Sequence, residues 1–78
     1  MNGDAVGDLL IKWSNESGVR SDTLPPEARY VTGNIHIDSL IYQFESAAGV
    51  ELIIFQDDVT GYRILDRVRW VEFVLRWA

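Results

Sequence analysis

The chain has no cysteine, which excludes disulfides and thiolate-held metals and gives no sign of an oxidising compartment. It has no run of about eighteen apolar residues, so no helix is expected to cross a membrane. Basic side chains are scarce: seven Lys and Arg face twelve Asp and Glu, a net charge of −5. Phosphate contacts need a basic surface, so direct nucleic-acid binding is not expected. The start carries Asp4 and Asp8 instead of a basic stretch followed by an apolar block, which reads against a signal peptide. A cytoplasmic protein is the resulting expectation. Histidine is single, and the two prolines are adjacent.

What is present points to folding. Hydrophobic residues make up 47% of the 78 and aromatics 12%, enough apolar mass for one small core and too much for a disordered chain. A single domain over residues 1–78 follows. Charge is uneven along it. Residues 1–58 hold ten acids against Lys12, Arg20 and Arg29, a net of −7, while residues 59–78 hold four arginines against Asp66 and Glu72, a net of +2. Such charge keeps a small domain soluble, and an acidic surface also suits partners with Arg or Lys patches.

Three helices give the leading reading. The first runs from about Asp4 to Ser17, with Val6, Leu9, Leu10 and Trp13 on one face. Asp8, Lys12 and Glu16 are spaced four apart as ion pairs, Asp4 caps the start, and Gly18 before Val19 is the left-handed stop. A long connection follows, anchored by Leu24, Tyr30 and Val31, with Pro26 opening a single turn and Gly33–Asn34 forming another. The second helix begins at Asp38, buries Leu40, Ile41, Phe44, Ala47 and Ala48, and ends at Gly49. Residues 50–55, "VELIIF", read equally as a buried strand or a buried connection. After Asp57, Asp58 and Thr60 a last helix is expected from about Gly61 to Trp77. It carries two apolar stripes: Ile64, Val68, Val71 and Leu75, and Tyr62, Trp70, Phe73 and Trp77. A helix apolar on two sides is deeply buried or paired with another molecule.

The ordered set "SGVRSDTL", "PPEARYV", "IDSL" and "GVEL" resembles the acyl carrier protein family. Ile37, Asp38, Ser39 and Leu40 match that family's attachment motif, and "FESAAGVEL" is similar to its second-helix ending. The stretch from Ser39 to "GVEL" is shorter than the family pattern by about one helical turn. The resemblance implies an all-α bundle of three to four helices. It also implies a 4′-phosphopantetheine arm on Ser39 beside Asp38 at a helix start, with Glu45 on a recognition surface. The implied partners are a phosphopantetheinyl transferase and the enzymes of fatty-acid, polyketide or related biosynthesis.

Read from the residues alone, Asp38 and Ser39 are also ordinary helix-capping types. As a base His36 would need an orienting partner and a nucleophile, with Asp38 two residues away on the same side if residues 35–37 are extended, and it reads instead as a surface or satisfied polar group; Asp57 and Asp58 read as caps rather than as a cation site with Glu51. No phosphate-binding loop, metal spacing or triad is present, so the chain is not expected to be an enzyme. Trp70, Phe73 and Trp77 are expected either to complete the core or to form a docking stripe, with a homodimer through the last helix. The alternative to the carrier reading is an acidic module, dimerising or inhibitory, that works by protein binding alone. Its structural counterpart is a small α+β domain with a C-terminal hairpin.

Overall fold

A computed structural model describes residues 2–78. The order is α1 (Gly3–Ser17), α2 (Ile35–Ala48), β1 (Val50–Phe55), β2 (Asp58–Ile64) and α3 (Arg67–Trp77). The domain is therefore α+β, and the all-α bundle expected from the sequence is corrected.

The correction falls on the segment expected to open the last helix. β1 and β2 pair antiparallel with Phe55 opposite Asp58, leaving Gln56 and Asp57 as a two-residue turn. Both turn residues are left-handed, with φ of 51° and 64°, as a type I′ hairpin turn requires. Thr60 is skipped in the register, a bulge between Ile53 and Ile54, and its hydroxyl donates to the Ile53 carbonyl at 3.2 Å. α3 begins only at Arg67, capped by Asp66, whose carboxylate accepts from the Arg69 N–H at 3.1 Å.

α1 has the apolar face expected of it, with Val6, Leu9 and Trp13 buried, and it stops at Gly18 with φ of 69°. Its cap is Asn2 rather than Asp4, accepting from the Ala5 N–H at 2.9 Å. Asp8, Lys12 and Glu16 form no ion pair among the described residues. The helix lies on β2 with its first residue almost touching the strand. A Cβ on Gly3 would sit 2.5 Å from the Thr60 carbonyl carbon, so only glycine permits the approach.

The core is closed by α2 and α3. Phe44 of α2 meets Trp13 of α1 edge-on at 5.7 Å and Phe73 of α3 edge-on at 5.2 Å, with Val50 and Leu52 of β1 beneath. Such aromatic pairs contribute about 0.5–1.5 kcal/mol each beyond their buried area. Of the two apolar stripes on the last helix, the aromatic one is inside: Trp70 and Phe73 are buried, and Trp77 packs half-buried against them. The aliphatic one, Val68, Val71 and Leu75, faces outward, continuing exposed Ile64 and Leu65.

Candidate functional site

Two regions bear on function: the motif around Ser39, and a groove between α1, the start of α2 and the hairpin turn that Ile37 and Leu40 of the same motif help to line. The motif is placed by where α2 begins. Its cap is Asn34, whose side chain accepts from the His36 and Ile37 N–H groups, so the helix starts at Ile35 rather than at Asp38. Asp38 therefore sits at the end of the first turn and Ser39 just beyond it, and both are only 1% exposed.

Asp38 is a clasp for the preceding loop rather than a cap. Its carboxylate accepts from the Thr32 N–H and hydroxyl, each at 2.9 Å, and from the Gly33 N–H at 3.2 Å. Burial pushes this carboxyl up, but hydrogen bonds from Thr32, Val31 and Gly33 outweigh it and hold Asp38 below its ordinary value. The same loop is fastened to α2 at further points. The His36 Nδ1 lies 2.8 Å from the Ser21 carbonyl, an acceptor only, so that nitrogen carries the proton. Gln43 donates to the Arg20 carbonyl, and Tyr42 to Glu27 at 3.3 Å. Arg29 pairs with Glu45 and donates to the Leu52 carbonyl at 3.0 Å. Inside the loop, Ala28 is buried and its N–H closes a turn to the Pro25 carbonyl at 3.0 Å, whereas Tyr30, expected as an anchor, is exposed.

Ser39 lies under this loop. Its hydroxyl accepts from the Gln43 amide at 3.0 Å, and that same amide holds Arg20. A phosphodiester on Ser39 would require the loop to lift and its polar ties to break. Incubation with coenzyme A and a broad phosphopantetheinyl transferase is accordingly expected to add no mass to the folded chain. A mass gain that disappears in Ser39→Ala would overturn this. Ser39→Ala itself is expected to lower stability by about 1 kcal/mol in urea unfolding, the worth of one hydrogen bond.

Glu45 is likewise a structural tie. Besides Arg29 it accepts from the Leu52 N–H at 2.7 Å, joining loop, α2 and β1. Trp70, Phe73 and Trp77 belong to the core side of α3 rather than to its open side.

The second region has no local signature in the sequence. Between α1 from Gly3 to Ser14, the early turns of α2 and the hairpin turn lies a groove of about 520 Å³. Leu10, Ile11, Ile37, Leu40 and Val59 give it apolar walls. Asp4 and Asp8 line it from α1, and Asp57 and Asp58 from the turn, all four exposed. None forms an ion pair among the described residues. No protein-family model, curated protein or solved structure matches the chain. Its chemistry is therefore read from this geometry alone.

Such a groove can hold a ligand by its apolar walls and its charged edge. An apolar floor recovers hydrophobic free energy from a ligand's apolar face, about 25 cal/mol per Å² removed from water. Four carboxylates without cationic partners favour a cation at the edge of the same ligand. The walls come from residues 3–14, 37–40 and 57–59, which are brought together only because the hairpin folds back over α1. Among the described residues no cluster of three metal-ligating side chains occurs and no helix is long and apolar enough to cross a membrane.

Proposed function

We propose that this domain is a protein-interaction module whose acid-rimmed groove receives a basic amphipathic segment of a partner. One observation carries the reading: an open apolar groove edged by Asp4, Asp8, Asp57 and Asp58, none of them with an ion-pair partner among the described residues. The uneven charge supports it, since the acids concentrate in the part of the chain that builds the groove. The groove's volume lies within the range of about 300–1,000 Å³ usual for binding sites, small for a whole protein face and suited to a few side chains of one helix.

The test uses a dye-labelled amphipathic helix of leucine and lysine, with its leucine–glutamate counterpart as control. Fluorescence anisotropy is expected to show saturable binding of the lysine peptide, weakened at least tenfold between about 0.05 and 0.5 M salt as the charges are screened. Asp57→Lys with Asp58→Lys is expected to weaken it by a similar factor. Equal binding of both peptides, or none of the lysine peptide, would sink the proposal.

A further inference from the structure

α3 answers to the description of what the groove takes. Its outward side carries Val68, Val71 and Leu75 at helical spacing, and Leu75 is 81% exposed. Arg67 stands at its start and is not ion-paired among the described residues; Arg76, near its end, lies over the Trp77 ring at 5.3 Å, and Arg69 is held by Asp66 and by the Ser46 carbonyl. With Glu72 as its single acid, α3 is a basic amphipathic helix displayed by an acidic domain. It cannot fill the groove of its own chain. Its other side, Trp70 and Phe73, is locked into the core with Val6, Leu9 and Trp13, whereas the groove is lined by the other face of α1, with Asp4, Asp8, Ile11 and Ser14.

We infer that the outward side of α3 docks into the groove of a second copy, so that chains associate head to tail. The inference rests on the interaction-module reading of the groove and names an occupant for it. Charge decides between this arrangement and a symmetric pairing of two α3 helices. Head-to-tail contact sets the net positive α3, with Arg67 unpaired at its start, against Asp4, Asp8, Asp57 and Asp58, whereas a symmetric pair brings together two helices that are each net positive. The two docking surfaces differ, so the contact is heterologous: each docked copy leaves one groove and one α3 unsatisfied, and assembly continues until a ring closes or chains run on.

Sedimentation velocity across roughly 0.01–1 mM chain, where weak contacts become populated, tests it. The average mass is expected to rise with concentration and to fall with salt. A helix variant (Val71→Glu with Leu75→Glu) and a groove variant (Asp57→Lys with Asp58→Lys) are each expected to be monomeric. Mixed, they form a pair that stops at two chains, because the intact groove of one accepts the intact helix of the other. Arg67→Glu with Val68→Glu, both exposed and outside the core cluster, replaces the helix variant if that one fails to fold, and must give the same result. A groove variant that still dimerises would overturn the proposal in favour of α3 pairing with α3. A wild type that stays monomeric throughout would overturn it as well; lysine-peptide binding in that case leaves the module reading standing, and its absence removes both.

Discussion

Asp38→Ala is expected to cost about 3–5 kcal/mol, the range seen when one member of a buried charged network is removed. The total for a domain of this size is about 4–12 kcal/mol at 0.05–0.15 kcal/mol per residue, so the variant sits near the edge of folding. The loss comes from the donors left behind. The N–H groups of Thr32 and Gly33 and the Thr32 hydroxyl all point at a carboxylate that is 1% exposed, and no other acceptor stands in its place. Asp38→Asn keeps the shape and removes the charge, which separates the two contributions. Because the folded-state value is depressed, the charged form contributes stability that is fully present above the unfolded value of about 3.9 and lost as pH falls toward the folded value. Urea unfolding at pH 7 should therefore place Asp38→Asn well below the wild type, and the gap should narrow as pH drops below about 4. An Asn variant within 0.5 kcal/mol or so of wild type at pH 7, or a gap that does not narrow in acid, would contradict this account of the clasp.

Gly49→Ala is expected to destabilise by about 3 kcal/mol, and Gly18→Ala by only about 1 kcal/mol, although both glycines end helices with φ near 70°. The left-handed conformation costs an alanine about 1–2 kcal/mol at either place. The rest is collision. A Cβ at Gly49 would lie 2.9 Å from both the Cβ and the carbonyl oxygen of Asp66 and 3.0 Å from the Arg69 Cβ, while at Gly18 nothing lies within 4 Å. The contact exists because the Gly49 carbonyl accepts from the Leu65 and Asp66 N–H groups at 2.8 and 2.9 Å, drawing the start of α3 against the end of α2. Displacing Asp66 would also loosen the α3 cap. Thermal unfolding of the two variants side by side checks the ratio; equal losses would mean that the crowding at Gly49 relaxes freely.

Much of the helical framework was legible in the sequence. The spacing of Val6, Leu9 and Trp13, and glycine stops before valine at Gly18 and Gly49, each correspond to one local physical requirement, and each appears where expected. The start of α2 was misread because Asp38 does satisfy backbone N–H groups, as a cap would, but those of the loop behind it rather than of its own helix. The hairpin was obscured in two ways. Its left-handed turn is made by Gln56 and Asp57, where asparagine and glycine would have announced it, and the bulge at Thr60 breaks the alternation of "VELIIF" and "DVTGYRI". Periodicity revealed the α3 part of both stripes, though it also drew Tyr62 and Ile64 of β2 into them, and it could not say which would be buried; the aromatic stripe offers more area to remove from water and went inside. The groove was not legible at all. Its walls lie far apart in sequence, and Asp57 and Asp58, read as helix caps, owe their place to the turn.

The near-contact of Gly3 with Thr60 has a consequence for how the chain is made. A ribosome that has completed α1, the clasped loop and α2 has not yet produced the strand on which α1 rests, nor the aromatic side of α3 that meets Trp13 and Phe44. Until then Val6, Leu9 and Trp13 have only part of their cover. Early pieces of the domain cannot fold and wait; the structure closes late and nearly all at once.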